Sequence, residues 1–276
     1  MKKIILITIC GILALCSCSK NSNEIKMNDE MKELKSLETE IIALNSQLQT
    51  EATIDTKAKW WRYLLTGAAD LLGGLIPGGG VATGISASTL MWTITKSETA
   101  VEKTASFESS SINKPEIALA YVDLDGEIHN NVITNILAKK GEGFFKMSED
   151  AINSLIIEET AKVTGEPKSS FEISQEQKKS IRGIVSSYVS SSSVKEFVES
   201  ATPYMEEPEL AGIVRAILEG YEKIDALKDN GRYEAAIALA IDRSRISEET
   251  KIKLKNASSI ANASNRLWKM NKTRIK

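Results

Sequence analysis

The only histidine of the chain, His129, lies in a polar stretch whose side chains could bind a cation or transfer a proton. Asp123, Asp125 and Glu127 precede it at alternate positions, and Asn130 follows it directly. Carboxylate oxygens are ligands for Ca²⁺, and an imidazole beside carboxylates can act as a general base. The spacing lacks the third aspartate and the distal glutamate of an EF-hand loop. We therefore expect a turn whose acids cap a helix; a catalytic or metal-binding use of the same residues is the alternative.

Other catalytic patterns are missing from the sequence. No serine lies in a Gly-x-Ser-x-Gly elbow, and a zinc site would need more nitrogen or sulfur ligands than one histidine provides. The glycines between Gly73 and Gly84 lack the Gly-Lys-Ser/Thr end of a phosphate-binding loop, because the next lysine is Lys96. We expect no enzyme activity, no metal and no cofactor.

The amino-acid composition excludes some classes of protein. With 42% hydrophobic and 26% charged residues, the chain has the composition of a folded protein rather than a disordered one. A formal net charge of −2 argues against a broadly basic nucleic-acid-binding protein, so we expect no nucleic-acid partner.

The stretch 126–130, Gly-Glu-Ile-His-Asn, is followed by Ile133 and Ile136. It resembles a Gly-x-x-His-Asn signature of uncharacterised secreted proteins and lipoproteins of bacteria. The resemblance covers about a dozen residues around 126–136. It implies no known activity and gives His129 no role.

The N-terminus has the pattern of an export signal. Two lysines precede an uncharged, mostly aliphatic run that is shorter than the roughly 20 residues of a membrane span. Residues 15–18, Leu-Cys-Ser-Cys, resemble the lipobox of bacterial lipoproteins, in which a small residue precedes the acylated cysteine. Cys18 fits because Ser17 is small. The resemblance implies a signal peptide over 1–17 and a fatty-acyl anchor such as palmitate on Cys18.

Two alternatives to lipidation remain at the sequence level: an uncleaved anchor helix, or cleavage by the ordinary secretory peptidase. In a lipoprotein, Cys10 and Cys16 leave with the signal peptide and Cys18 carries the anchor, so no thiol remains for a disulfide. Ser19 follows the anchor in place of an acid. By resemblance to enteric lipoproteins, this favours the outer membrane.

A polar segment over 18–26 is expected to be a flexible tether. It precedes apolar residues that recur at steps of three and four: Met27, Met31, Leu34, Leu37, Ile41, Leu44 and Leu48. This spacing predicts an amphipathic helix over about 27–50, within a first segment that we bound at 27–58. The helix is either a coiled-coil stalk or a helix packed on the rest of the protein.

The segment 59–104 is rich in glycine and apolar residues. Between Arg62 and Lys96 its only charged residue is Asp70, and the sequence Pro-Gly-Gly-Gly over 77–80 breaks it into two helical arms, 60–76 and 81–96. The residues that we expect to mediate packing or membrane contact are Trp60, Trp61, Gly67, Gly73, Gly74, Gly78, Gly80, Gly84 and Trp92.

Two interpretations of this segment compete. Small residues at four-residue spacing permit close helix packing, so the arms could form the buried core of the protein. Alternatively, the aromatic residues near the ends of the arms could lie at a membrane surface while the hairpin dips into lipid. Asp70 favours the buried core, because a carboxylate in lipid is costly.

The remainder, 105–276, is predicted to be helical. Helices are expected over 127–140, 149–163 capped by Ser148, 175–189 with a capping box from Ser174 and Gln177, 194–201, 208–227, 232–241 and 247–268, with a turn at 230–231. Little period-two alternation appears, so the fold class is mainly α: a helical bundle with a long first helix and a glycine-rich apolar hairpin.

These features together predict a lipid-anchored protein of the bacterial cell envelope with a non-catalytic binding, scaffold or assembly role. Its expected partners are a membrane, through the lipid, and another protein of unknown identity. One alternative is a pore-forming or bacteriocin-like protein that inserts the glycine-rich hairpin. The other is an envelope enzyme that uses His129.

Overall fold

Helices occupy nearly all of the chain that the computed structural model describes, which is residues 29–48, 57–98, 124–223 and 230–273. Within these ranges there are ten α-helices and no strand, which confirms the mainly α class. The helices are α1 (29–46), α2 (Lys57–Gly74), α3 (Val81–Glu98), α4 (Leu124–Lys140), α5 (Glu149–Thr164), α6 (Gln175–Ser190), α7 (Val194–Ala201), α8 (Ala211–Tyr221), α9 (Asn230–Arg243) and α10 (Glu248–Thr273).

Local capping signals set several of these boundaries. The side chain of Ser148 accepts a hydrogen bond from the backbone N–H of Ala151 at the start of α5, and Gly165 ends that helix at a φ of 76°. Ser174 and Gln177 form the predicted reciprocal capping box at the start of α6. Left-handed backbone favours glycine, so the stop at Gly165 follows directly from residue type.

Three predicted boundaries are wrong. The expected turn before residue 127 is helical from Leu124, and the expected turn at 230–231 is the first turn of α9. Asn and Gly are common at helix starts as well as in turns, so the sequence signal was ambiguous. The helix after Pro208 is a 3-10 turn followed by α8, which ends at Tyr221 rather than near 227.

The first helix packs on the rest of the protein. Its residues Leu34, Leu37 and Ile41 are buried in the same apolar cluster as helices α6 to α10. Asn45 donates a 2.6 Å hydrogen bond to the carbonyl oxygen of Ala216 in α8. Of the two interpretations of this segment, the structure therefore has the packed amphipathic helix and not a free stalk.

The glycine-rich hairpin, α2 and α3 with the turn between them, lies in the middle of the bundle. The described side chains of 66–73 and 81–89 are all buried, and α2 lies between α3 and α10. Helices from all three predicted segments, 27–58, 59–104 and 105–276, share one apolar core. No helix in the described ranges has both the length and the apolar character needed to cross a membrane.

Candidate functional site

The structure brings His129 of α4 together with Asp70 of α2. The Nε2 atom of His129 lies 3.3 Å from Oδ1 of Asp70, and both side chains are 0% exposed. We call these two residues the buried pair. The sequence had singled out each residue separately, but it had associated His129 with the nearby acids and not with Asp70.

The neighbours of the imidazole indicate its protonation state. Its Nδ1 lies 2.9 Å from Oδ1 of Asn130, while its Nε2 faces the carboxylate of Asp70. Both ring nitrogens therefore lie beside oxygen atoms, an arrangement in which an imidazolium could donate from both nitrogens. Burial lowers the pKa of His129, but the negative charge of Asp70 and the hydrogen bonds outweigh it, so the pKa is raised above its ordinary value.

The attraction between the two side chains is mainly one of charge. The 3.3 Å contact is not an aligned hydrogen bond, and neither carboxylate oxygen of Asp70 has a hydrogen-bond partner among the described residues. A buried carboxylate in this situation depends on its counter-charge. Removal of the imidazole would leave the buried carboxyl group of Asp70 without this partner.

Glycines on the hairpin fix the position of Asp70. A Cβ atom added to Gly67 would lie 3.0 Å from the carbonyl oxygen of Ala261 in α10. One added to Gly84 would lie 3.1 Å from the carbonyl oxygen of Asp70 itself. Such distances leave almost no room for a side chain, so the backbones of α3, α2 and α10 approach closely around Asp70.

A glycine also permits close packing of α4 against α10. A Cβ atom on Gly126 would lie 2.7 Å from Oγ of Ser259 in α10. Gly126 is thus a packing residue one turn before His129, and not the turn glycine that the sequence predicted. This contact sets α4 against α10 and directs His129 toward α2.

The α10 surface that receives both helices was not identified from the sequence. Residues 257–265, which we call the small-residue segment of α10, are all buried and consist of alanine, serine, asparagine and one isoleucine. Ala257 and Ala261 face α2, while Ser259 and Ala263 face α4. Their four-residue spacing is the signal that could have revealed the segment, because small residues at that interval permit close helix contact.

The remaining predicted site residues do not converge. On α4, Asp125 is partly buried and Glu127 is exposed, and neither is paired with His129. Asp123 and Cys18 lie outside the described residues, as do the side chains of Trp60 and Trp61. No group of three His, Cys, Asp or Glu side chains in the described ranges could hold a metal ion.

The predicted hairpin glycines divide into two groups. Gly67, Gly73, Gly74 and Gly84 are packing positions, where an added Cβ would meet a neighbouring helix at 3.3 Å or less. Gly78 is a turn residue with a φ of 63°, and Gly80 has open space around it, so neither glycine is at a close contact between helix backbones. Trp92 is partly buried, and its ring lies 6.3 Å from that of Phe145.

A second polar contact ties the hairpin to α5. Oγ of Ser86 donates a 2.6 Å hydrogen bond to Oδ1 of Asn153, and both residues are buried. This contact joins two neutral groups and does not depend on pH. It differs in that respect from the buried pair.

A surface cavity of about 270 Å³ lies between α1 and the start of α10. Its lining includes Glu30, Met31, Leu34, Glu207, Glu209 and Glu249. Lys253 lies 2.9 Å from Glu207 and 3.1 Å from Glu249, so it neutralises part of this charge. Its hydrogen bond with Glu207 is the main reason that the pKa of Lys253 is raised.

Chemically, the buried pair is enclosed. With 0% exposure on both side chains, neither group can reach a substrate at the surface in this conformation. Comparison of the chain with protein-family models, curated proteins and solved structures gives no match. The interpretation therefore depends on the geometry and on the sequence pattern alone.

Proposed function

We propose that the protein is a lipid-anchored, non-catalytic component of the bacterial cell envelope that acts as a scaffold or binding protein. The single observation that carries this proposal is the complete burial of His129 beside Asp70. It leaves the only imidazole of the chain with an internal role and removes the best candidate for a catalytic base.

The position of α1 supports a surface role close to the membrane. An acylated Cys18 would be followed by a short polar segment before α1 begins at residue 29. Ten residues of extended chain reach at most about 35 Å, so the bundle would lie within that distance of the lipid surface. Because α1 packs through Leu34, Leu37 and Ile41, the anchor would hold the whole bundle rather than a flexible stalk.

The pore-forming alternative has less support. The described part of the glycine-rich hairpin has its apolar surface covered by neighbouring helices, and it contains Asp70. Insertion would require this core to open. The enzyme alternative would require His129 to become accessible, which also demands separation of α2 from α4.

The experiment that tests the anchor compares two cysteine substitutions in a bacterial host. We expect Cys18→Ala to abolish incorporation of radiolabelled palmitate and to move the protein from the detergent phase to the aqueous phase on Triton X-114 partition. Cys16→Ala is the matched control, because Cys16 lies two residues away in the same segment and should leave labelling intact. Labelling that survives Cys18→Ala would refute the assignment of the anchor.

A second experiment tests whether the protein inserts into membranes. Purified Cys18→Ala protein is added to liposomes of anionic lipid that contain a fluorescent dye. We expect no dye release at neutral pH, because the hairpin remains in the core. Release by this protein, lost in a Gly84→Leu variant that retains its helical circular dichroism, would instead support the pore-forming alternative.

A further inference from the structure

With respect to charge, the described contacts that hold the glycine-rich hairpin are of two kinds: neutral contacts, which include the hydrogen bond from Ser86 to Asn153, and one charged contact. Most are short van der Waals contacts between small residues, such as Gly73 against Gly84 and Gly67 against Ala261. The contact between Asp70 and His129 differs because both side chains are ionisable, and it joins α2 to α4. Contacts of the first kind do not change with pH, whereas the second kind depends on two protonation states.

The buried pair is electrostatically isolated. From α3, residues 81–93 present no titratable side chain, and the small-residue segment of α10 contains none. From α2, the described residues 66–74 contribute Asp70 alone. Among these described residues of α2, α3 and α10, no other group can therefore replace the charge of either partner.

The other titratable groups of α4 and α5 include Asp125, one helical turn before His129, but none of them contributes to the pKa shift of His129. Asp125 and Glu127 lie in the first turn of α4, and Glu127 is exposed. At the other end of that helix, Lys139 pairs with Glu159 of α5, and Glu159 also pairs with Lys162. Within the part of the chain that the structure describes, Asp70 and Asn130 are the side chains that raise the pKa of His129.

We propose that the buried pair is a pH-sensitive latch that clamps the glycine-rich hairpin to α4 and releases it when the imidazole becomes neutral. With His129 neutral, the carboxylate of Asp70 loses its counter-charge, and its remaining polar neighbour in the described core is the uncharged ring nitrogen Nε2 at 3.3 Å. Separation of α2 from α4 would let water reach that carboxylate.

The direction of the pH effect follows from the raised pKa of His129. An unfolded or opened state has an ordinary histidine, with a pKa of about 6.5. The stabilisation by the pair is therefore complete below about pH 6.5, and it is lost as the pH rises through the higher pKa of the closed state. The latch is therefore engaged below about pH 6.5 and opens as the pH rises above the pKa of His129 in the closed state.

Hydrogen exchange followed by mass spectrometry tests the latch on the purified protein between pH 6 and 10. After correction for the intrinsic pH dependence of exchange, we expect opening of the α2 and α3 amides to increase at least about tenfold across this range. Helices α6 and α7 are the internal reference, because they lack the buried pair. A flat profile for the hairpin, or an equal rise in all helices, would overturn the proposal.

The single histidine makes a second measurement unambiguous. The imidazole Hε1 resonance in an NMR titration belongs to His129 alone, and its midpoint must coincide with the midpoint of hairpin opening. In His129→Gln the opening should become independent of pH. In Asp70→Asn the His129 midpoint should fall, because the neighbouring negative charge is gone.

Lys139→Met is the matched control, because it removes the other ion pair between α4 and a neighbouring helix. We expect it to leave the pH profile of α2 and α3 unchanged. If Asp70→Asn does not fold, the hydrogen-exchange profiles of the wild type, His129→Gln and Lys139→Met are sufficient to test the latch. A wild-type profile that persists in His129→Gln would refute the latch.

Discussion

Substitution of Gly73 by alanine tests directly whether close backbone packing holds the hairpin in the core. A Cβ atom at this position would lie 2.8 Å from the carbonyl oxygen of Thr83, 2.9 Å from Cβ of Ala87 and 3.0 Å from Cα of Gly84. Two of these three atoms belong to the backbone of α3, so no side chain can rotate away. The two helices would have to separate.

The magnitude follows from that geometry. Ordinary contacts between non-bonded carbon atoms are about 3.5–4.0 Å, so α2 and α3 must separate by roughly 0.5–1 Å. Overpacking of this kind costs about 1–3 kcal/mol, while replacement of glycine by alanine within a helix returns up to about 1 kcal/mol. We therefore expect Gly73→Ala to lower the free energy of unfolding by about 1–2 kcal/mol.

Urea unfolding monitored by circular dichroism at 222 nm measures the effect. With a slope of about 3 kcal/mol/M, the midpoint should fall by about 0.3–0.7 M. Gly143→Ala is the matched control, since an added Cβ there meets nothing within 4 Å. If Gly73→Ala proves as stable as the wild type, the reasoning that the glycines of the hairpin are required for close packing is refuted.

Four further predictions address other contacts and are all read from urea unfolding at fixed pH. Asp70→Ala should cost about 1–3 kcal/mol, because it leaves the buried Nε2 atom of His129 without its polar neighbour, whereas Asp70→Leu combined with His129→Leu should retain most of that stability. Gly220→Ala should cost about 2–3 kcal/mol, since its Cβ would overlap the hydroxyl of Tyr233; a neutral result would contradict the tight packing of α8 on α9. Tyr233→Phe should cost about 1–2 kcal/mol through loss of the 2.8 Å hydrogen bond to buried Asn45. Ser174→Ala should cost about 1 kcal/mol through loss of the capping box, with no effect on hairpin exchange.

The structure also explains why the chain tolerates a charged residue inside an apolar hairpin. Asp70 was visible in the sequence as the only charge between Arg62 and Lys96, and this charge favoured a buried core over lipid. Asp70 can lie in the core because it has a partner on α4, His129. The sequence offered no means to select His129 as that partner, because the two residues share no helix and no local motif.

The sequence signals for α1 were similarly incomplete. The steps of three and four predicted a helix correctly, and the described helix covers 29–46. They did not distinguish a stalk from a packed helix, because both need one apolar face. The distinction lies in contacts with α8 and α9, where Asn45 meets the carbonyl oxygen of Ala216 and the hydroxyl of Tyr233.

The sequence by itself determined the helical class, the break at Pro77 and the caps at Ser148, Gly165 and Ser174, because these features depend on backbone groups within a few residues. Tertiary structure alone decided that the hairpin is enclosed by α10 and α4, that Gly126 is a packing residue, and that His129 is buried beside Asp70. Those outcomes depend on how backbones approach one another in space. The same small residues permit close approach to a neighbouring helix or to another surface, and only the packed bundle specifies which contact is made.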